Sequence, residues 1–195
     1  MVGSSPYTPP LTIDDYLLLE EASDVRHEYV AGQVHALAGT TARHNRIALN
    51  IVARLLAGVG DGPCRVYASD MKVRVGNNAV YYPDVMVTCE PHAETALIMD
   101  APCLLVEVIS PSTASIDRRE KLAAYRGLPS LRAYLIVEQE LQRVERHWRD
   151  AEGTWQYADH TALAGAVRVP LACPDVVLAL ADIYHNSGVS ETATG

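Results

Sequence analysis

The chain has 195 residues, of which 49% are hydrophobic and none is phenylalanine. This length and composition suffice for one domain with an aliphatic core. The net charge of −8 argues against a protein that coats DNA non-specifically, because such binding needs basic residues that displace counterions from phosphates. No apolar run reaches the roughly 18 to 20 residues that span a bilayer, so we expect a soluble, cytoplasmic protein with no membrane partner.

The two ends have the composition of loose segments. Prolines crowd the start and no hydrophobic period marks the end, so we predict a flexible N-terminus over 1–11, one domain over 12–185 and a flexible tail over 186–195. The cysteines Cys64, Cys89, Cys103 and Cys173 are widely spaced and form no CxxC pair. Their spacing indicates neither a zinc knuckle nor a disulfide framework, and we expect reduced thiols.

The first half of the chain predicts two helices and a hairpin. Thr12 and Asp15 form a capping box that opens a helix through Glu21, and a strand follows near Tyr29 to Ala38. From Thr41 to Leu56 the apolar residues recur at helical spacing, which predicts an amphipathic helix. Two alternating runs, Arg65 to Val75 and Ala79 to Thr88, flank Gly76-Asn77-Asn78 and indicate a hairpin.

The second half predicts a parallel crossover. An apolar strand over Cys103 to Ile109 leads through a turn into a helix from about Ile116 to Arg126, and a strand over Leu131 to Val137 follows. The segments around Val144, Trp155 and Val167 resemble further antiparallel strands. The fold class is therefore α/β (α+β), with a central mixed sheet flanked by helices and extra antiparallel strands in the C-terminal third.

Glu107 is the most informative residue of the sequence. A carboxylate inside the run CLLVEVI would lie among side chains that cannot solvate its charge, so something must compensate it. Strand alternation puts Cys103, Leu105, Glu107 and Ile109 on one face, near the end of the strand where open α/β sheets bind ligands. The alternative is a buried ion pair without catalytic role.

Asp84 is the second candidate acid. It follows Pro83, which favours a strand start or a sheet edge. If their strands are neighbours, the carboxylates of Asp84 and Glu107 could approach within a few ångströms. At that separation they would repel by about 4 kcal/mol at an effective dielectric of 20, and a divalent cation bound between them would turn the repulsion into coordination. Oxygen ligands suit Mg²⁺ or Mn²⁺, which polarise a phosphodiester and activate water. A phosphodiesterase site also needs a cationic side chain beside the acids.

The segments YYPDVMV, LLVEVISPST, DRREKLAAYRGLPSL and RAYLIV, with RHEYVAGQV and SDMKVRV upstream, resemble the "putative restriction endonuclease" family, formerly catalogued as a bacterial domain of unknown function. The resemblance covers roughly residues 12 to 185. It implies a branch of the PD-(D/E)XK nuclease superfamily, with a restriction-endonuclease-like fold and Mg²⁺-dependent phosphodiester cleavage. Pro83-Asp84 matches the PD of the motif, and Glu107 matches its (D/E).

The resemblance also contains a departure. The lysine of the motif falls on Ile109, which can neither donate a hydrogen bond nor carry charge. Lys121 is the natural substitute, because it lies on the helix that leaves the Glu107 strand and displaced lysines occur in the superfamily. Lys72 is the competitor, with Asp70 two residues before it, although a strand lysine often serves only solubility.

Several residues are expected to support the site. His44 shares the inward face of its helix, and Glu28 lies at a strand entrance, so each is either a site residue or a structural group satisfied by local partners. Asp70 is either a supporting acid or a surface acid. The arginines Arg43, Arg46 and Arg118 are candidate phosphate contacts, although charged helix faces are usually only solvated.

The leading hypothesis is a Mg²⁺-dependent (or Mn²⁺-dependent) endonuclease that hydrolyses DNA, in which Asp84 and Glu107 bind metal and Lys121 assists the attacking water. One alternative is a catalytically inactive module of the same fold with a binding or regulatory role. The other is a small-molecule metal hydrolase, which would need a closed pocket. By analogy we also consider a homodimer, whose interface could include Arg143, Arg146, Arg149, Trp148 and Trp155.

Overall fold

The computed structural model describes residues 10–110, 114–161 and 167–190. The N-terminal residues 1–9 and the C-terminal residues 191–195, which belong to the segments expected to be flexible, lie outside these ranges, as do 111–113 and 162–166. In chain order the elements are α1 (Ile13–Glu21), β1 (His27–Val30), β2 (Gln33–Ala36), α2 (Ala42–Val59), β3 (Arg65–Ala68), β4 (Lys72–Val75), β5 (Ala79–Tyr81), β6 (Val85–Thr88), β7 (Ile98–Met99), β8 (Pro102–Ile109), α3 (Ala114–Ile116), a π-helical turn (Asp117–Lys121), α4 (Leu122–Arg126), β9 (Ala133–Glu138), β10 (Arg143–Arg149), β11 (Trp155–Thr161), β12 (Arg168–Ala172), β13 (Asp175–Ala179) and α5 (Leu180–Ile183).

The central sheet has six strands in the order β11-β10-β9-β8-β6-β3. β8 and β9 pair in parallel, which confirms the predicted crossover, and the other neighbours are antiparallel. All eight residues of β8 are buried because structure covers both faces of the sheet, and this explains the nearly continuous apolar run. The predicted mixed sheet flanked by helices is confirmed.

The predicted hairpin exists, but each of its two arms is divided into two strands, and the two strands of one arm belong to different sheets. The β3–β6 pair belongs to the central sheet, whereas the β4–β5 pair belongs to a second sheet with the order β2-β1-β5-β4-β7. One arm breaks after Ser69, which has a left-handed φ of 56°, and the other breaks at Pro83, which has no N–H for a ladder. The prediction of one continuous strand over 65–75 and another over 79–88 was therefore wrong.

The predicted strand from Tyr29 to Ala38 is also a hairpin. β1 and β2 pair antiparallel around Ala31 and Gly32, which have φ values of 48° and 87°. Two successive positive φ values are typical of a tight hairpin turn of the I′ kind. The turn was missed because Ala31 is an unusual residue for this conformation, although Gly32 is an ordinary one.

Two apolar clusters lie on opposite faces of the central sheet. On one face α2 buries Ile47, Ala48, Ile51 and Leu55 against β6 and β8, as its periodicity predicts. On the other face α4 and the second sheet cover the residues Met86, Leu105, Ile109, Tyr125, Tyr134 and Ile136. The first helix and its capping box are also as predicted.

A β-bulge changes the face of one predicted residue. Val87 pairs with Leu104, but Thr88 pairs with Pro102, so β8 has one extra residue at Cys103. Cys103 therefore packs in the α2 cluster with Leu104 rather than on the face of Leu105 and Glu107. The expected alternation fails there because a bulge inserts one residue between paired positions.

The expectation of reduced thiols is corrected by the structure. Disulfides join Cys64 to Cys89 and Cys103 to Cys173. Sequence spacing carried no signal for this, because the cysteines come from four segments that meet only in the folded chain. Within the described ranges, no helix is long and apolar enough to cross a membrane.

Candidate active site

Asp84 lies where the chain enters the central sheet, immediately before β6. Its Oδ2 accepts a hydrogen bond of 2.7 Å from the backbone N–H of Val108 at the end of β8. The carboxylate is thus fixed against the residue that follows Glu107, although the side chain remains 18% exposed. Sheet pairing therefore brings the two predicted acids to the same end of neighbouring strands.

His44 reaches the same carboxylate from the other side. It lies in the first turn of α2, whose N-cap Thr41 accepts from the His44 N–H through its side chain. Its Nε2 is 3.1 Å from Oδ2 of Asp84. Burial opposes protonation, but the hydrogen bond and the charge of Asp84 raise the pKa of His44 above its usual value. The contact with His44 therefore holds Asp84 in one orientation.

Glu107 is buried with only 4% exposure. Its Oε1 accepts from Lys121 Nζ at 3.1 Å and from the Tyr125 hydroxyl at 2.9 Å. Burial raises the pKa of this carboxyl well above its usual value; Lys121 opposes the shift, and the nearby carboxylates Asp117, Asp84 and Glu28 add to it. Lys121 is therefore a positive partner of this carboxylate, but its charge does not offset burial and the neighbouring acids.

Lys121 enters the site from the π-helical turn, a feature often found at functional positions. Its Nζ lies 2.9 Å from Glu28, 3.1 Å from Glu107 and 3.5 Å from Asp117. It also lies over the Tyr81 ring, 5.5 Å from the centroid. Burial disfavours the ammonium, but these carboxylates outweigh it and raise the pKa of Lys121 well above its usual value. The lysine is therefore a charged donor.

Four carboxylates surround one lysine and one histidine at this end of the sheet. The acids are Glu28, Asp84, Glu107 and Asp117, and three of them have at most 11% side-chain exposure. The negative excess is costly in a buried place unless a cation compensates it. A hard divalent cation with oxygen ligands fits this donor set, with Asp84 and Glu107 as the acids tied to adjacent strands.

The family model for "Putative restriction endonuclease" proteins (Uma2) matches residues 13–181. The chain belongs to this family. Two relatives from Synechocystis sp., the uncharacterized proteins slr1290 and sll1609, are 32% and 34% identical over 83% and 76% of this chain and 87% and 86% of their own lengths. A crystal structure of "a putative nuclease belonging to DUF820" from Anabaena variabilis covers 90% of this chain and 98% of its own, with a TM-score of 0.73 at 18% identity, which supports the fold.

In this family member, not every residue selected from the sequence lies at the acidic site. Asp70 is 82% exposed and pairs with Arg26, and Lys72 lies over the Tyr82 ring at 5.3 Å. Arg43 pairs with Glu140 at 2.6 Å. Arg118 pairs with Glu138 and Glu145, and Arg46 is exposed on α2. The intrachain acids already compensate Arg43 and Arg118, so neither is a ready phosphate contact.

Two residues of the site were missed in the sequence. Asp117 precedes Lys121 by four residues, and this spacing on a helix could have indicated the ion pair. Tyr125 lies four residues after Lys121 on the same side, but an apolar helix face offered no sign that its hydroxyl binds a carboxylate. Both belong to the segment DRREKLAAY, from which only the lysine was selected.

Asp70→Asn is expected to leave nuclease activity within about twofold of the wild type and the free energy of unfolding within about 1 kcal/mol, because an exposed ion pair contributes little. Urea unfolding and a cleavage assay check both values. A tenfold loss of activity with unchanged stability would show that Asp70 supports the site after all.

Tyr125→Phe removes a buried hydrogen bond to a carboxylate. We expect it to lower the free energy of unfolding by about 1.5–3 kcal/mol, the range for hydrogen bonds to charged groups. Tyr29→Phe is the matched control, because the Tyr29 hydroxyl donates to the neutral carbonyl of Leu11 at 2.7 Å. Urea unfolding of both variants checks the order, and an equal or smaller loss in Tyr125→Phe contradicts it.

Proposed function

We propose that this protein is a Mg²⁺-dependent or Mn²⁺-dependent endonuclease that hydrolyses DNA phosphodiester bonds. The observation that carries the proposal is the excess of carboxylates around Lys121, with Asp84 and Glu107 at the same end of paired strands. A nuclease site needs this combination of paired acids and one buried ammonium group. Family membership supports nuclease chemistry independently.

Asp84 and Glu107 would hold the metal ion, which when bound polarises the phosphodiester and lowers the pKa of a bound water. Asp84 presents a carboxylate that the Val108 N–H and His44 hold in one orientation. Glu107 presents a carboxylate fixed by Lys121 and Tyr125. Both acids are therefore preorganised before substrate binds, which lowers the reorganisation needed in the transition state.

Lys121 would act as a hydrogen-bond donor to the attacking water or to a phosphoryl oxygen. Its ammonium group needs no proton transfer for this role, because the surrounding carboxylates keep it protonated. Glu28 and Asp117 position the amine beside Glu107, and the backbone N–H of Tyr82 donates to Glu28 at 3.1 Å. Glu28 and Asp117 are thus positioning residues.

The nucleic-acid substrate rests on the family and on the form of the site. Asp84 is the most exposed of the four acids, so access is from the side of Asp84 and His44. A small-molecule hydrolase would need an enclosed pocket at the acids. Two surface cavities of about 390 and 470 Å³ lie elsewhere, lined by residues such as Leu18 and Leu97 in one and Leu56 and Tyr67 in the other.

One observation favours a second candidate, a catalytically inactive module. Lys121 contacts three carboxylates, and Ile109 stands where the motif has its lysine. A lysine whose interactions are complete within the protein can serve a structural ion-pair network alone. In that case the site would bind no metal ion and the protein would bind partners through another surface.

Supercoiled plasmid separates these candidates. We expect wild-type protein to nick the plasmid in the presence of Mg²⁺ or Mn²⁺, and we expect EDTA to abolish nicking. The control variant Lys72→Ala should nick the plasmid as the wild type does. Linear product formed directly from supercoiled DNA would support the homodimer considered from the sequence, whereas nicked circles alone would indicate one site acting at a time. Cleavage of an RNA strand or a nitrophenyl phosphodiester in place of DNA would overturn the substrate, and inertness on all three would favour the inactive module.

A further inference from the structure

All four cysteines of the chain meet at one place. Cys64 immediately precedes β3, Cys89 immediately follows β6, Cys103 is the bulged residue of β8, and Cys173 lies between β12 and β13. The Sγ of Cys89 is 3.4 Å from that of Cys173 and 3.7 Å from that of Cys103, across the boundary between the two disulfides. The sulfurs therefore form one cluster rather than two separate bridges.

Two of the sulfur–sulfur distances across the cluster are close to those of a tetrahedral metal site. Zinc binds thiolate sulfur at about 2.3 Å, which places the four sulfurs of a tetrahedron about 3.8 Å apart. Two contacts between the disulfides, Cys89 to Cys103 and Cys89 to Cys173, are close to this edge length. Cys64, Cys89 and Cys173 present ligand atoms within 4.8 Å of one another, and Cys103 lies outside that group, so its sulfur would have to move to complete the tetrahedron. Two independent disulfides have no need of such contacts. Opening both bonds moves each sulfur by roughly 1 Å, within the reach of side-chain rotation.

The cluster is separate from the acidic site. Cys103 precedes Glu107 by four strand residues, about 13 Å at the rise of a β-strand. The cysteines pack at the margin of the apolar cluster under α2, which limits access of water to them. They link the β3–β6 edge, β8 and the β12–β13 sheet, and a metal ion there would join three parts of the fold.

We propose that the four cysteines in their reduced form are a tetrathiolate site for one Zn²⁺ or a similar thiophilic d¹⁰ cation. Binding converts four thiols and one M²⁺ to a tetrathiolate complex and releases four protons. The disulfide form and the metal form use the same sulfurs and exclude each other. The role of the ion is structural, since four protein ligands leave no open position for a substrate.

The test uses the full chain reduced with a phosphine, which converts two disulfides and two water molecules to four thiols and two phosphine oxides. After anaerobic desalting and addition of Zn²⁺, we expect one zinc per chain to remain through gel filtration. The thiols should react with a thiol reagent only after a chelator removes the metal. Saturating zinc at about 100 times its dissociation constant should raise the Tm by about 5–10 °C.

Variants locate the ion. Cys103→Ser and Cys173→Ser should each weaken zinc binding by more than about 100-fold, more than the loss of a group that only orients a ligand. Asp84→Asn should retain one zinc per chain, which separates this site from the acidic one. Zinc that stays bound in both serine variants, or leaves in Asp84→Asn, would overturn the proposal.

A measurement on the wild-type protein tests the proposal even if the serine variants fail to fold. Loading the reduced chain with Co²⁺ should give the near-ultraviolet sulfur-to-cobalt charge-transfer bands and visible bands of a tetrahedral thiolate complex. Titration should reach its end point at one Co²⁺ per chain, and Zn²⁺ should displace the ion. Reduced protein that shows no thiolate bands and retains no zinc would overturn the proposal and leave two structural disulfides.

Discussion

Asp84→Asn and Glu107→Gln are each expected to reduce DNA cleavage by at least about 10³-fold, because a catalytic metal ion contributes several kcal/mol to the transition state. Each change keeps the size of the side chain and removes the charge that holds the cation. The measurement is the initial rate of plasmid nicking at saturating Mg²⁺, with Lys72→Ala as the control. A rate within tenfold of the wild type in either variant would contradict the assignment of both acids as metal ligands.

Stability distinguishes a lost ligand from a lost fold. Burial and three neighbouring carboxylates already disfavour the charge of Glu107 in metal-free protein, so Glu107→Gln should retain the Tm of the metal-free wild type or raise it. Mg²⁺ should raise the Tm of the wild type and leave that of the variant unchanged. Inactive Glu107→Gln protein with a lower metal-free Tm would indicate a structural ion pair instead.

Lys121→Met is expected to reduce cleavage by about 10²–10³-fold, the typical effect of losing one charged donor at a transition state. It should also lower the free energy of unfolding by about 3–5 kcal/mol, because it leaves Glu28, Glu107 and Asp117 without their buried cation. Urea unfolding and nicking rates check both effects. Methionine keeps an unbranched side chain of similar volume without the terminal ammonium group, so packing changes little.

Metal binding separates the two roles of Lys121. The variant retains both metal ligands, so it should bind Mg²⁺ at least as tightly as the wild type, and Mg²⁺ should restore part of the lost stability. Lys72→Ala, which removes a half-buried lysine of β4 near Tyr82, should change neither the cleavage rate nor the free energy of unfolding appreciably. Full activity in Lys121→Met, or its loss in Lys72→Ala, would transfer the catalytic role to Lys72.

Local sequence patterns predicted the elements that rest on local physics. The helical period of α2 predicted that His44 lies on the inward face of the helix. The single carboxylate in an apolar strand made Glu107 a candidate site residue. The sheet switch at residues 69–71 and 82–84 escaped prediction because alternation continues through both arms. The strands that assign each half to its sheet, β1 beside β5 and β8 beside β6, lie outside this segment. Glu28 was selected as a candidate, but its contact with Lys121 was not foreseen because Glu28 comes from the second sheet. Asp117 was missed although it lies only four residues before Lys121.

The cysteine cluster and the bulge at Cys103 were equally hidden from the sequence. A bulge is set by the pairing of β6 with β8, and the meeting of four cysteines depends on where four separate segments end. The arginines show the opposite case. Arg43 and Arg118 were plausible phosphate contacts in the sequence, but in the fold acids from β9, β10 and the turn between them form ion pairs with both.

Calorimetric titration of wild-type protein with Mg²⁺, repeated with Mn²⁺, tests the central claim most directly, because every catalytic role assigned to this site depends on a bound cation. The protein should be titrated with both disulfides intact so that only the acidic site is measured. We expect saturable binding that disappears in Asp84→Asn and in Glu107→Gln and persists in Lys72→Ala. Wild-type protein that binds neither ion would contradict the account and leave the acids and Lys121 as a structural ion-pair network.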